Sequence, residues 1–240
     1  MDLQAAFIDA MPSPAWPLAA RRGILVAFVA TDAWPARVPE AMALLSAEER
    51  GRVQRKRRDH DRETTALAYA CHRLLLSQVL GCPPGEVPLG RDGLGCPTLH
   101  GESIRTSLSH ADGLIALAVA GSGPVGVDIE PADRAADMPE IAARVCHPDE
   151  LDALAGLPEP ARARALLSLW VRKEALLKAA GIGMAVGMDA FRAPVGRMLA
   201  LPGGIAGAAM LRVFDDGDRC LAAVAGLPGG IASAWLSPRS

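Results

Sequence analysis

A chain of 240 residues, half of them hydrophobic and 22% charged, can bury one large core or two smaller ones, and this composition excludes a disordered or fibrous class. A net charge of only −2 excludes a partner bound through the charge of the whole chain. Five cysteines without a C-x-x-C pair exclude a disulfide framework and a cysteine zinc site, and suit a reducing compartment.

The first clear element is the apolar run Gly23–Ala30. Preceded by Arg21 and Arg22 it mimics a secretory signal, but it starts late and is too short to span a bilayer. It reads as a buried strand. No other uncharged run is long enough for a membrane helix, so the expectation is a cytoplasmic, soluble protein with no membrane partner. A Pro-marked loop follows, and then Ser46-Ala-Glu-Glu49, a capping box in which Ser46 and Glu49 satisfy each other's amides. It opens a basic helix to about Arg58.

Residues 50–62 carry seven basic and two acidic side chains, a local +5 that leaves −7 for the rest of the chain. The stretch has no aromatic residue for base stacking, so no nucleic acid is expected there. A solvated helix face and a patch for a phosphorylated ligand or an acidic protein both remain open.

A second helix spans about Asp61 to Leu80, with Ala66, Leu67, Ala70, Leu74, Leu75 and Val79 at helical spacing and Gly81 as its stop. Residues 82–102, rich in Gly and Pro, read as loop. Three strands follow at Ser103–Ser109, Leu114–Ala120 and Val125–Glu130, with turn signals between them. After a connection over 131–138 come short helices at about Pro139–Val145 and Pro148–Ala155. A long helix then runs from Pro160 to Ala180 and ends at Gly181 and Gly183. Strands at Ala208–Phe214, Arg219–Ala225 and Ile231–Leu236 complete the chain.

Within the third strand, GVDIE sets Asp128 and Glu130 on one face, about 7 Å apart by the usual strand rise. Two such charges repel unless a cation sits between them. Either that face is washed by solvent or it holds a cation. In the long helix Trp170, Glu174 and Lys178 are spaced four and four, so they stack along one face. His110, in SLSHADG, sits at a strand end before a turn. Taken singly, each has an ordinary structural reading: a solvated ion pair, a core indole, a satisfied imidazole.

Their order is more specific. S-L-S-H-x-x-G, then G-V-D-I-E, then W-x-x-K-E-A-x-x-K, behind a capped basic helix, resembles the 4′-phosphopantetheinyl transferases of the surfactin-synthetase type. The matching residues are Ser109, His110, Gly126, Asp128, Glu130, Trp170, Lys173, Glu174, Ala175 and Lys178, and Gly181-Ile-Gly183 with Asp189 and Phe191 extends the match. The resemblance covers roughly residues 46–191. It departs at Gly95-Cys96-Pro97-Thr98-Leu99, where the family carries a basic residue that contacts a coenzyme phosphate; Cys96 cannot supply that cation.

The resemblance implies an α/β (α+β) fold of two similar halves with pseudo-twofold symmetry, each a small antiparallel sheet packed on a long helix, in a monomer. Residues 1–122 would carry the basic helix and coenzyme-binding segment, and 123–240 the metal and catalytic motifs, with coenzyme A lying between the halves. It further implies transfer of 4′-phosphopantetheine from coenzyme A to a serine of an apo acyl or peptidyl carrier protein, releasing adenosine 3′,5′-bisphosphate. Mg²⁺ (or Mn²⁺) would be held by Asp128, Glu130 and Glu174, a hard oxygen set. Lys178 would add charge at the diphosphate, and Glu174 or a metal-bound water would take the serine proton. Ser109 and His110 would bind the nucleotide 3′-phosphate, Arg52, Arg55 and Thr65 would make further coenzyme contacts, and Glu150 would support the metal site. Two alternatives stay open: a Mg²⁺-dependent hydrolase of nucleotide diphosphates, and a non-catalytic protein that binds coenzyme A or carriers.

Overall fold

The computed structural model describes residues 2–34 and 37–239. By contact density the chain divides into two units: Met1–Arg91 with Pro97–Ser122 and Gly229–Ser240, and Asp92–Cys96 with Gly123–Pro228.

In the first unit, helix α1 (Leu3–Asp9) and a 3₁₀ turn at Trp16–Arg21 precede strand β1 (Gly23–Ala30). The Pro-marked loop expected next falls partly on residues 35 and 36, outside the described residues; beyond it lies a short helix, α2 (Val38–Leu44), with Pro39 in its first turn. Helix α3 (Ala47–Gln54) opens on the expected capping box: Glu49 N donates to Ser46 Oγ at 3.2 Å and Ser46 N to Glu49 Oε2 at 2.8 Å. It stops at Gln54 rather than Arg58, because a new helix, α4 (Asp59–Leu80), starts with Asp59 and Asp61 in its first turn, where carboxylates suit the positive end of the dipole. Gly81 caps α4 in the left-handed region, φ 74°.

The spacing predicts one apolar face on α4, yet every residue from Thr64 to Ser77 is buried. One side packs with β4 (Arg105–Ala111) and with β5 (Leu114–Ala120), and α1, α2 and α3 cover others. Burying the helix all round forces its polar residues to find partners. Arg73 Nε donates to Glu49 Oε2 at 2.7 Å, so the capping carboxylate also ties α3 to α4. Thr106 donates its hydroxyl to Ala118 O at 3.0 Å and therefore accepts from His72 Nε2 at 2.6 Å. Burial, with Arg91 and Arg73 nearby, pushes the His72 imidazole down to about 3.

The sheet of this unit runs β10-β1-β5-β4, with β4 at Arg105–Ala111 and β10 at Gly230–Leu236. The expectation of an antiparallel sheet is corrected here: β1 and β10 pair in parallel, Gly23 opposite Gly230. The sequence division runs its second part to residue 240, but β10 returns to pair with β1 and so belongs with the first unit. Residues 82–102 are not all loop, since β2 (Leu89–Arg91) and β3 (Pro97–Leu99) form a small antiparallel ladder.

The second unit has the antiparallel sheet β6-β9-β8-β7: β6 at Val125–Pro131, β7 at Met198–Ala200, β8 at Ala208–Asp215 and β9 at Cys220–Gly226. The three-residue β7 carries no alternation and is missed by the sequence. Helices α5 (Met138–Val145), α6 (Pro148–Leu154) and α7 (Ala161–Ala180) lie between β6 and β7 in the chain, and α7 packs on the sheet with Leu221, Ala223 and Ala225 of β9 in its core. The order β1-β5-β4 recurs here as β6-β9-β8, with a long helix between the first strand and the hairpin in each case. The chain is thus mixed α/β, and among the described residues no helix is long and apolar enough to cross a membrane.

The tightest constraint in this unit is Gly126. A Cβ there would lie 2.0 Å from Ala175 O and 2.5 Å from Ala179 N, both backbone atoms of α7. Gly126→Ala should therefore push α7 off the sheet and cost at least about 1–3 kcal/mol, read as a lower midpoint in denaturant melts with an unchanged slope. A midpoint equal to that of the parent chain would contradict the close approach.

Candidate active site

The side of β6 that faces α7 is the side of Gly126, Asp128 and Glu130. Asp128 is 3% and Glu130 6% exposed, so the reading of a solvent-washed face does not hold. Val127 and Ile129 are buried as well, which makes β6 a buried strand carrying two acids. Such burial is costly unless cations stand close.

Two do. Lys178 Nζ donates to Asp128 Oδ1 at 2.7 Å. Glu130 Oε1 accepts from Arg134, which lies in the 3₁₀ turn Ala132–Asp137 just after β6, and from Trp170 Nε1 at 3.2 Å. The Arg134 guanidinium carbon lies over the Trp170 ring, 4.6 Å from its centre. Four-residue spacing on α7 puts Trp170, Glu174 and Lys178 in one row beside these acids.

Glu174 is half-buried in the same electrostatic cluster. Burial pushes its carboxyl above the usual range, the Asp128 charge adds to that, and Lys178 and Arg134 oppose it. Glu130 is pushed up in the same way, by burial first and then by Asp128, against Arg134 and Trp170. Asp128 thus acts on both glutamates, as three acids around one spot require. Among the described residues no three His, Cys, Asp or Glu side chains are arranged to hold a metal ion as they stand. The donor chemistry nevertheless suits a hard divalent cation: all oxygen, two carboxyls strained by mutual repulsion, and Glu130 Oε2 buried with no hydrogen-bond partner.

The neighbouring Lys173 does a different job. It is fully buried, donates to Met188 O at 2.8 Å and Phe191 O at 2.6 Å, and pairs with Glu150. Glu150 also accepts from His147 N at 3.0 Å and Ala193 N at 2.9 Å. Its oxygens are committed to holding α6, α7 and the 188–193 segment together, which corrects the expectation that Glu150 supports the metal.

The remaining candidates lie in the first unit. Ser109, buried, and His110, partly exposed, sit on β4 opposite Ala116 and Ile115 of β5. Arg52 pairs with Glu48 at 3.1 Å, and Arg55 is the exposed C-cap of α3. Thr65 is fully buried and donates its hydroxyl to Asp61 O at 2.6 Å, one helical turn back, so its donor is already used. Cys96, in the Asp92–Cys96 segment that groups with the second unit, donates its N–H to Asp92 Oδ1 at 2.9 Å in the turn before β3. Sequence reasoning missed Arg134; its signal was the spacing of four from Glu130, hidden in a stretch that reads as mere connection.

The charge arrangement sets the pH dependence. Below the ordinary glutamate range Glu174 is protonated whether the chain is folded or not. As pH rises, the unfolded chain ionises freely while the folded one resists, so stability falls through that window. Between about pH 4 and pH 7 the metal-free Glu174→Gln variant should lose less melting temperature than the parent chain. An identical loss would place Glu174 outside the cluster.

Residues 124–197, which contain all of these acids and α7, match the model of the 4′-phosphopantetheinyl transferase superfamily. The chain is 30% identical to the 4′-phosphopantetheinyl transferase HetI of a Nostoc strain over 147 residues, 60% of this chain and 62% of that protein. It is 29% identical to the 4′-phosphopantetheinyl transferase psf-1 of Bacillus pumilus over 160 residues, 65% of this chain and 66% of the relative. The 4′-phosphopantetheinyl transferase of Bacillus subtilis is 28% identical over 151 residues, 62% of this chain and 66% of the relative. The chain therefore spans less than two thirds of the length of these relatives.

Proposed function

We propose that this chain, a relative of the 4′-phosphopantetheinyl transferases, moves the phosphopantetheine group of coenzyme A onto a serine hydroxyl of an apo carrier protein. The observation that carries the reading is the meeting of Asp128, Glu130 and Glu174 with Lys178 on the one face where β6 and α7 touch. Asp128, Glu130 and Glu174 would hold Mg²⁺, whose charge, when bound, would neutralise the diphosphate of the coenzyme.

The chain's own groups then have separable tasks. Lys178, its side chain partly exposed, lies one turn beyond Glu174 and offers a cation to the phosphate oxygens. The serine oxygen forms a bond to the phosphorus that carries the pantetheine arm. The bond from that phosphorus to the bridging oxygen breaks, and adenosine 3′,5′-bisphosphate leaves with it. Glu174, whose carboxyl burial pushes above the usual carboxylate range, takes the serine proton as general base. Trp170 and Arg134 hold Glu130 by its Oε1. Ser109 and His110 on β4 are our proposed contacts for the 3′-phosphate of the nucleotide, by resemblance. Phosphoryl transfer of this kind asks for alignment and charge neutralisation more than for a covalent intermediate.

Mass spectrometry of an apo carrier incubated with the chain, coenzyme A and Mg²⁺ tests the reading, the expected product being carrier that has gained one phosphopantetheine. Asp128→Ala should stay folded by circular dichroism and lose at least about 100-fold in kcat/KM. Release of the bisphosphate without any mass gain on a panel of carriers would turn the assignment to hydrolysis, and undiminished turnover in the variant would remove Asp128 from the site.

A further inference from the structure

Arg134 belongs to none of the motifs above, yet it is the most closely engaged cation at the acid cluster. It grips Glu130 Oε1 while its guanidinium sits over the Trp170 ring, and the indole Nε1 of that same ring donates to the same oxygen. Guanidinium, indole and carboxylate thus form a closed three-way arrangement, of which Glu130 Oε2 is the one oxygen left buried without a hydrogen-bond partner. Arg134 is therefore held twice, by the cation–π contact with the ring and by the ion pair with the carboxylate.

We propose that Arg134 is a positioning residue that stands in for the divalent cation and competes with it for Glu130, so that its seat on Trp170 sets the metal concentration at which the site fills. The inference rests on the reading of Asp128, Glu130 and Glu174 as the metal-holding set. Glu130 Oε2 is free of hydrogen bonds, but a metal ion that takes Glu130 through both oxygens must displace the guanidinium from Oε1. Arg134 is about one-third exposed, so it has solvent into which to swing, whereas Glu130 is buried. The arrangement keeps a buried acid paired before the metal arrives, and it makes loading weaker than three bare carboxylates would allow.

The test uses the full chain without coenzyme. Mn²⁺ binding is followed by electron paramagnetic resonance of the free ion, and Mg²⁺ binding by its effect on the melting temperature. Arg134→Gln should bind Mn²⁺ about tenfold more tightly than the parent chain, with a lower metal-free melting temperature and a larger rise on adding Mg²⁺. Arg134→Lys, which keeps a cation within reach of Glu130, should bind nearly as the parent does. Trp170→Phe retains every charge but removes the Nε1 donor and shrinks the platform. It should also tighten Mn²⁺ binding, which a mere change of local field would not produce; it serves in addition if Arg134→Gln fails to fold. Equal or weaker Mn²⁺ affinity in Arg134→Gln or in Trp170→Phe would overturn the proposal. Asp128→Asn separates the two claims: if it abolishes Mn²⁺ binding, the metal reading stands and the other variants judge Arg134 alone. If it binds Mn²⁺ as the parent does, the metal reading itself fails, and this inference with it.

Discussion

Helix α7 can touch strand β6 because residue 126 has no side chain. Where a Cβ would stand, the carbonyl of Ala175 and the amide of Ala179 already do. That contact converts three separate sequence facts into one place. The alternation of β6 sends Asp128 and Glu130 to the same side as Gly126, and the four-residue spacing of α7 sends Trp170, Glu174 and Lys178 back at them. The neighbouring strand cooperates: Ala225 pairs with Gly126 and Ala223 with Asp128, so the surface under the helix is built of small residues. Any larger group along that line would lift the helix and dissolve the cluster.

Close approach alone does not fix the rotation of a helix. Lys173 does that from another side of α7, where its buried ammonium is held by the carbonyls of Met188 and Phe191 and by Glu150. Arg172 adds a bond to Ala193 O at 2.8 Å. Adjacent residues in the motif therefore carry opposite duties: Lys173 is spent entirely on structure, while Glu174 is held half-buried, its charge resisted by Asp128. A conservative change at Lys173 would fail for a geometric reason, since a planar guanidinium cannot replace a compact ammonium among those three acceptors.

Much of this was legible in the residues. Alternation fixed the face of Asp128 and Glu130, helical spacing fixed the row on α7, and the capping box at Ser46 fixed the start of α3. All three signals are local, set by two to four neighbouring residues. What was not legible depends on partners far away in the chain. The parallel return of β10 to β1 leaves no mark in the apolar run Ile231–Leu236, which reads the same in either direction. Strands β2, β3 and β7 are three residues each, too short for any period to appear. The burial of α4 all round followed from α1 and α2 covering it, and the N-terminal helices themselves lacked the length to declare a period. Glu150 was misread because its acidity suggested a ligand, whereas its oxygens are consumed by Lys173 and two backbone amides. Arg134 was missed because nothing in PADRAADM shows that Trp170, 36 residues later in the chain, will lie beneath it.

The balance of charge in the cluster argues for what kind of chemistry it suits. Three acids meet two cations, both supplied by the chain itself, and burial pushes two of the acids towards their neutral forms. A site designed only for stability would replace such a group with apolar residues of similar volume, often at no cost or at a gain of about 1–4 kcal/mol. Two buried acids on β6, beside a β9 whose buried residues are all apolar or glycine, mark a local departure from the rule that governs the rest of the fold, and such departures concentrate where function is carried. On the proposed reading the acids supply the oxygen ligands for a divalent ion, and Lys178 and Arg134 stand beside them as the chain's own cations.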